Sequence, residues 1–130
     1  MRLDPRLKQS YQRIPRLSRR HRAVALRAAR EAMAVLRLFE ADRPRDTRPR
    51  NAIAAIRAWA QGKRELGMDA TRLLSLNAHA AARAAETEAA RFAARAAGHA
   101  VATWHVPTHA LGAPLYAAKA RAAARNARKK

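Results

Sequence analysis

The sequence predicts an all-α protein, a single compact bundle of about five helices with short connections, and three observations predict it. Alanine dominates the chain while valine, isoleucine and aromatic residues are scarce. Alanine is the best helix former and loses no side-chain entropy, whereas strands draw on β-branched residues. Apolar residues recur at i, i+3 and i+4 rather than alternating. Ser, Asp, Pro and Gly fall where helices start and stop. At 130 residues the chain can bury one core unaided. It has no cysteine, which excludes a disulfide framework and thiolate metal sites.

Residues 1–17 hold Pro5 and Pro15 among many arginines, with Leu3, Leu7, Ile14 and Leu17 scattered, and read as an irregular basic arm with at most one short helical turn. The helical domain is expected over 18–125. Ser18 caps a first long helix to about Ala41, with Val24, Ala25, Ala28, Ala32, Val35, Leu36 and Phe39 on one face. Arg27, Arg30 and Arg37 point the opposite way. A charged loop follows, and Asp46 stands where an N-cap is expected, with Pro49 in the first turn. The second helix buries Ala52, Ile53, Ile56, Trp59 and Ala60 and stops near Gly62.

Asp69 reads as the next cap, for a helix over about 70–84 burying Leu73, Leu76, Ala80 and Ala84. Glu86 and Glu88 suit the start of a fourth helix, which buries Ala89, Ala93, Ala96, Ala97, Ala100 and Trp104 and ends at Pro107. The last helix starts between Thr108 and Pro114 and runs to about Arg125, with Leu111, Leu115, Ala118 and Ala122 as its stripe. Residues 126–130 are expected to fray as a basic tail.

The formal net charge of +19 is unevenly placed. Residues 1–40 carry eleven Lys/Arg against three acids, and 106–130 carry six against none, while 67–105 carry four against three. Such a field attracts polyanions: nucleic acid, anionic lipid or an acidic protein. The competing reading is solvated helix faces with a basic tail. No helix-turn-helix, zinc-finger or aromatic-rich sheet signature accompanies the charge, so nucleic-acid binding would be nonspecific and through the basic ends. No apolar run is long enough for a signal peptide or a membrane span, and a cytoplasmic protein is the simplest expectation.

Three of the five histidines fall within residues 99–109, and these carry most of the chemistry available. His105 and His109 are four apart, a spacing that aligns two imidazoles for a metal on a continuous helix; Pro107 lies between them. They are weak metal candidates, without the glutamate of a His-Glu-x-x-His motif. His79 and His99 can converge with them, either as a site or as satisfied histidines at a helix junction. Asp46, Arg48, Pro49 and Arg50 form a second constellation. Arg48 and Arg50 can grip a carboxylate or phosphate at that helix N-terminus, or Asp46 can hold them in an intramolecular network. Trp59 and Trp104 read as core anchors from their stripe positions. There is no Gly-x-Ser-x-Gly, no phosphate-binding glycine loop and no obvious carboxylate pair, so no catalytic residue, cofactor or enzymatic activity is expected.

The segment Leu38-Phe-Glu-Ala-Asp42, with Asp46-Thr-Arg48-Pro49-Arg50-Asn-Ala-Ile-Ala-Ala-Ile-Arg57-Ala-Trp59, resembles immunity proteins of bacterial polymorphic toxin systems, in the immunity-five-like class. Ala78-His79-Ala-Ala-Ala-Arg83 and Ala97-Gly-His99 through Trp104-His105-Val-Pro-Thr-His109-Ala-Leu-Gly112-Ala-Pro-Leu-Tyr116 continue the resemblance in order, over roughly 35–120. It implies an all-helical cytoplasmic domain that binds and neutralises a cognate toxin. The matching positions are Asp46, Arg48, Pro49, Trp59, His79, His105, His109, Gly112 and Tyr116. Together with Arg50 and His99 they are the expected polar cluster, either partner-binding or structural. The basic excess points to an acidic toxin domain as partner.

Overall fold

The computed structural model describes residues 3–129, and these form six α-helices and one 3-10 helix, with no strand among them. The helices are α1 (Pro5–Gln12), α2 (Arg19–Asp42), α3 (Arg48–Ala60), α4 (Met68–Ala84), α5 (Glu88–Ala102) and α6 (Gly112–Arg128), with the 3-10 helix at Pro107–Leu111 just before α6. The all-α expectation holds, with one helix more than the approximate count.

The additional helix is α1, in the stretch expected to be irregular. Asp4 is its N-cap, its side chain accepting the Arg6 N–H at 2.9 Å, and Pro5 occupies the first turn. There its fixed φ is favourable and its missing N–H costs nothing. Tyr11 and Ile14 are buried in the core, so this segment is anchored rather than loose. At the other end α6 continues to Arg128, past the expected Arg125.

Ser18 caps α2 as expected, its hydroxyl accepting the His21 N–H at 3.1 Å. The predicted stripe from Val24 to Phe39 is buried, and Arg27, Arg30 and Arg37 are exposed. α3 buries Ala52, Ile53, Ile56 and Trp59, and Gly62 just beyond it adopts φ +74°, the left-handed conformation that ends helices and that glycine tolerates best.

α5 is the central post, packed against α2, α3, α4 and α6. Its alanines Ala90, Ala93, Ala94, Ala96, Ala97 and Ala100 are buried with Gly98 and Val101, so it is apolar on more than one face, as a surrounded helix must be. Side chains of a single methyl let neighbouring backbones approach closely.

That close approach overturns the expected burial of α4. Leu73 and Leu76 are 60% and 56% exposed, Ala84 is exposed and Ala80 only half-buried; Ala78, Ala81 and Ala82 face the core instead. A backbone lying tight on α5 has room for methyls at the contact, so Leu73 and Leu76 are turned outward while Leu74 stays half-buried against the core. The same holds for α6, where Ala113, Ala117 and Ala120 are buried in place of Leu115, Ala118 and Ala122. Gly67, not Asp69, is the N-cap of α4, and Asp69 lies in the first turn, where its charge complements the helix dipole.

Candidate functional site

The anticipated polar cluster is not one site. Its members separate into three groups, each held by different elements.

The first is an imidazole seam where α4, α5, the 3-10 helix and α6 meet. His79 and His99 meet edge to face with ring centroids 5.7 Å apart, and His99 and His109 lie 5.9 Å apart. Tyr116 stacks on His99 at 4.9 Å. Two glycines make room for the rings: a Cβ on Gly98 would fall 2.5 Å from His79 Nε2, and one on Gly112 would collide with the His99 ring. Within a helix glycine is about 1 kcal/mol less favourable than alanine, and in so alanine-rich a chain Gly98 marks a position where a methyl does not fit. Substituting Gly112 with alanine should destabilise the protein by about 1–3 kcal/mol, because His99 Cβ as well as its ring lies against the new methyl and must shift. Urea denaturation reads this as a lower midpoint at unchanged slope.

The seam is held neutral. Arg95 Nη1 donates to His79 Nδ1 at 2.8 Å, which leaves that nitrogen unprotonated. Burial lowers the His79 pKa, with Arg95, Arg83 and His109 adding to it. Burial, then the neighbouring His79, His109 and Arg95, holds His99 down to about 4. His109 is lowered by burial and by His105. His105 itself is exposed and outside the stack. α5 ends at Ala102 and Pro107 opens the 3-10 helix, so His105 and His109 do not share a continuous helix, though both line one cleft with Met68, Thr71, Arg72 and Leu76. Among the described residues no group of three or more His, Cys, Asp or Glu side chains is placed to hold a metal ion.

The second group surrounds a histidine that sequence reasoning passed over. His21 is fully buried. Its Nδ1 accepts the Leu17 N–H at 2.8 Å, so its Nε2–H is the donor to the Thr103 carbonyl at 2.6 Å. Trp59 meets its ring edge-on at 4.9 Å, and Arg22 lies over Trp59 and donates to the Trp59 carbonyl. Arg16 lies over Trp104 and donates to the carbonyls of His105 and Trp104 at 2.9 and 3.0 Å. Segment 14–22 thereby staples the end of α5. The signal was present: His21 continues the Val24–Ala25–Ala28 phase one turn toward the N-terminus.

The third group joins α2 to α3. Asp46 is not the N-cap of α3; Thr47 is, without a side-chain bond, and Asp46 reaches the Arg48 N–H from one residue further out, at 3.2 Å. Asp46 also receives Arg48 Nε and Nη2 at 2.9 and 2.7 Å, and Arg43 Nε at 3.3 Å. Chiefly through the Arg48 hydrogen bond, its pKa falls to about 2. Arg50 is paired with Glu40 through two bonds of 2.8 and 2.7 Å. Both arginines proposed to grip an anion are thus engaged within the chain. Asp42 adds a bond from the Glu86 N–H at 2.9 Å, tying this connection to the one before α5. Asp46→Ala should cost about 1–2 kcal/mol through the lost helix-end bond and the two released arginines, read as a drop in melting temperature of several degrees.

The fold and these networks define an all-helical protein whose polar residues chiefly brace helix junctions, with a cleft open beside α4. The match to the family model of the Imm-5 like putative immunity protein spans residues 17–130, and the chain belongs to that family. No curated protein and no solved structure matches it. No described helix is long and apolar enough to cross a membrane.

Proposed function

We propose that this chain is a noncatalytic binding protein that neutralises a cognate toxin in the cytoplasm by covering part of its surface. Membership of the immunity family over residues 17–130 carries the reading. Two features support it. The junctions between helices are braced by hydrogen bonds, buried at His21 and exposed at Asp42, so a binding surface is preformed and little ordering entropy opposes docking. Ion pairs among the described residues engage Arg43, Arg48 and Arg50, whereas Arg27, Arg30, Arg37, Arg121 and Arg125 face solvent on α2 and α6. That field steers an acidic partner and raises its association rate.

The test is co-expression. A toxin domain encoded beside the gene for this chain should kill a bacterial host alone and spare it when the chain is present, and the two purified proteins should co-elute. Undiminished killing, with both proteins present and folded, overturns the reading.

The charge favours a second reading, nonspecific nucleic-acid binding through the basic ends, because residues 106–130 carry six cations and no acid. Retardation of duplex DNA at low salt that collapses steeply with added salt would support it; no retardation at low salt removes it.

A further inference from the structure

On the side away from the alanines that α4 buries, the helix presents Leu73 and Leu76, 60% and 56% exposed. On α2 the outward positions are arginines, Arg27, Arg30 and Arg37. Solvation asks for no leucine there, and two on one helix face leave apolar surface for another molecule to cover.

The leucines belong to a stripe. Asp69, Leu73, Leu76, Ala80 and Arg83 recur at alternating spacings of four and three, the repeat of a coiled-coil seam. Ala80 is half-buried and the other four are exposed. Among the described residues, neither Asp69 nor Arg83 takes part in an ion pair. The stripe complements itself when two such helices run antiparallel with a two-fold axis at Leu76. Leu76 then meets its own copy, and Leu73 lies beside the small Ala80 of the second copy. Asp69 and Arg83 stand at equal distances from Leu76 along the chain, so each faces the opposite charge. A parallel pairing would set Asp69 on Asp69 and Arg83 on Arg83, like against like.

Charge distribution selects the same face. Two chains of net charge +19 repel wherever their basic surfaces meet. α4 carries one acid against two cations, α2 three against six, and α6 none against four. The outward leucines therefore lie where self-repulsion is weak.

We propose that α4 is a homodimer interface, in which two copies of this chain pair their α4 helices antiparallel about Leu76, with Asp69 of each against Arg83 of the other. This surface stands independently of the toxin reading. At 1.5 Å per residue α4 is about 25 Å long, so a contact along it covers less than the ~1,200 Å² of a standard interface and gives a weak, reversible dimer.

Sedimentation velocity of the full chain is the test, at about 0.15 M salt, where repulsion is screened beyond ~8 Å. The mass should rise from 14.4 kDa toward twice that between about 5 and about 500 μM. Leu76→Asp, at an exposed position, should keep its fold and associate at least about tenfold more weakly. Asp69→Arg and Arg83→Asp should each associate poorly alone yet form a one-to-one heterodimer when mixed, because mixing restores both opposite-charge pairs. The chain has no cysteine, so Leu76→Cys reports the axis directly. It should form a disulfide-linked dimer about tenfold faster than Arg37→Cys on α2. A mass of one chain throughout the range, association unchanged by Leu76→Asp, no heterodimer from the folded charge variants, or equal cross-linking at the two cysteine positions would each overturn the proposal. A monomeric wild type whose protection in the co-expression assay is lost in Leu76→Asp gives this face to the toxin and overturns the second copy as its occupant.

Discussion

Replacing His21 with alanine is expected to remove about 4 kcal/mol of stability, a large share of what a domain of this size possesses. Two effects combine. The imidazole is fully buried, so its loss opens a cavity beside Trp59. It also leaves the Leu17 N–H and the Thr103 carbonyl without their partner. The first of these matters twice, because Leu17 adopts φ +65°, a left-handed conformation unfavourable for a branched side chain, and the bond to His21 helps hold it there. His21→Phe separates the contributions, filling much of the space while restoring neither bond. Urea denaturation should rank wild type above His21→Phe and His21→Phe above His21→Ala. A loss below about 1 kcal/mol for His21→Ala would remove the case that segment 14–22 is held by this residue.

Acidification should weaken the fold well before its carboxylates titrate. The native His99 pKa is about 4 against an ordinary 6.5, and His21, His79 and His109 are lowered too, all chiefly by burial. Between those two values the unfolded chain binds protons that the native chain refuses, so stability rises with pH across that window and is lost as pH falls from 6.5 toward 4. Allowing for partial exposure, His99 alone contributes on the order of 2 kcal/mol. Asp46 acts in a lower window: its native pKa of about 2 lies below an ordinary 3.8, so its contribution is present above 3.8 and lost as pH falls toward 2. Melting temperatures between pH 7 and pH 5 therefore report the imidazoles. His99→Phe, which keeps a ring against Tyr116 and removes one site of protonation, should flatten that slope. An unchanged slope would show that the seam does not carry the dependence.

What could be read from the residues depended on how large they are. α2 was legible to its cap because Val24, Val35, Leu36 and Phe39 are big enough to mark a face, and Ser18 is a strong start signal. α4 is the reverse: its leucines predict the buried face, yet its alanines face the core. In α1 the prolines and arginines predict an irregular arm, although Asp4-Pro5 is itself a helix start. Convergence of His79 and His99 with His105 and His109 is one of the arrangements their helix positions allow, but those positions do not show that Gly98 and Gly112 seat the rings or that His105 lies outside. His21 lies in phase with Val24, Ala25 and Ala28, but phase shows burial and not the bonds that make it a staple, and Thr71 on α4 has no such phase to mark it. His21 is distinguished by its partners across the fold, and Thr71 by a buried hydroxyl with none.

The methyl-lined heart of the molecule also bears on how such a protein can change. Alanine has no χ rotamers to redistribute, so where α4 and α6 lie on α5 the interior lacks the spare conformations through which a larger residue is usually absorbed. Substitutions there meet a lattice with no slack. Diversification toward new binding partners is accordingly channelled to the outer faces, where arginines and the outward leucines of α4 can be exchanged without disturbing the scaffold beneath.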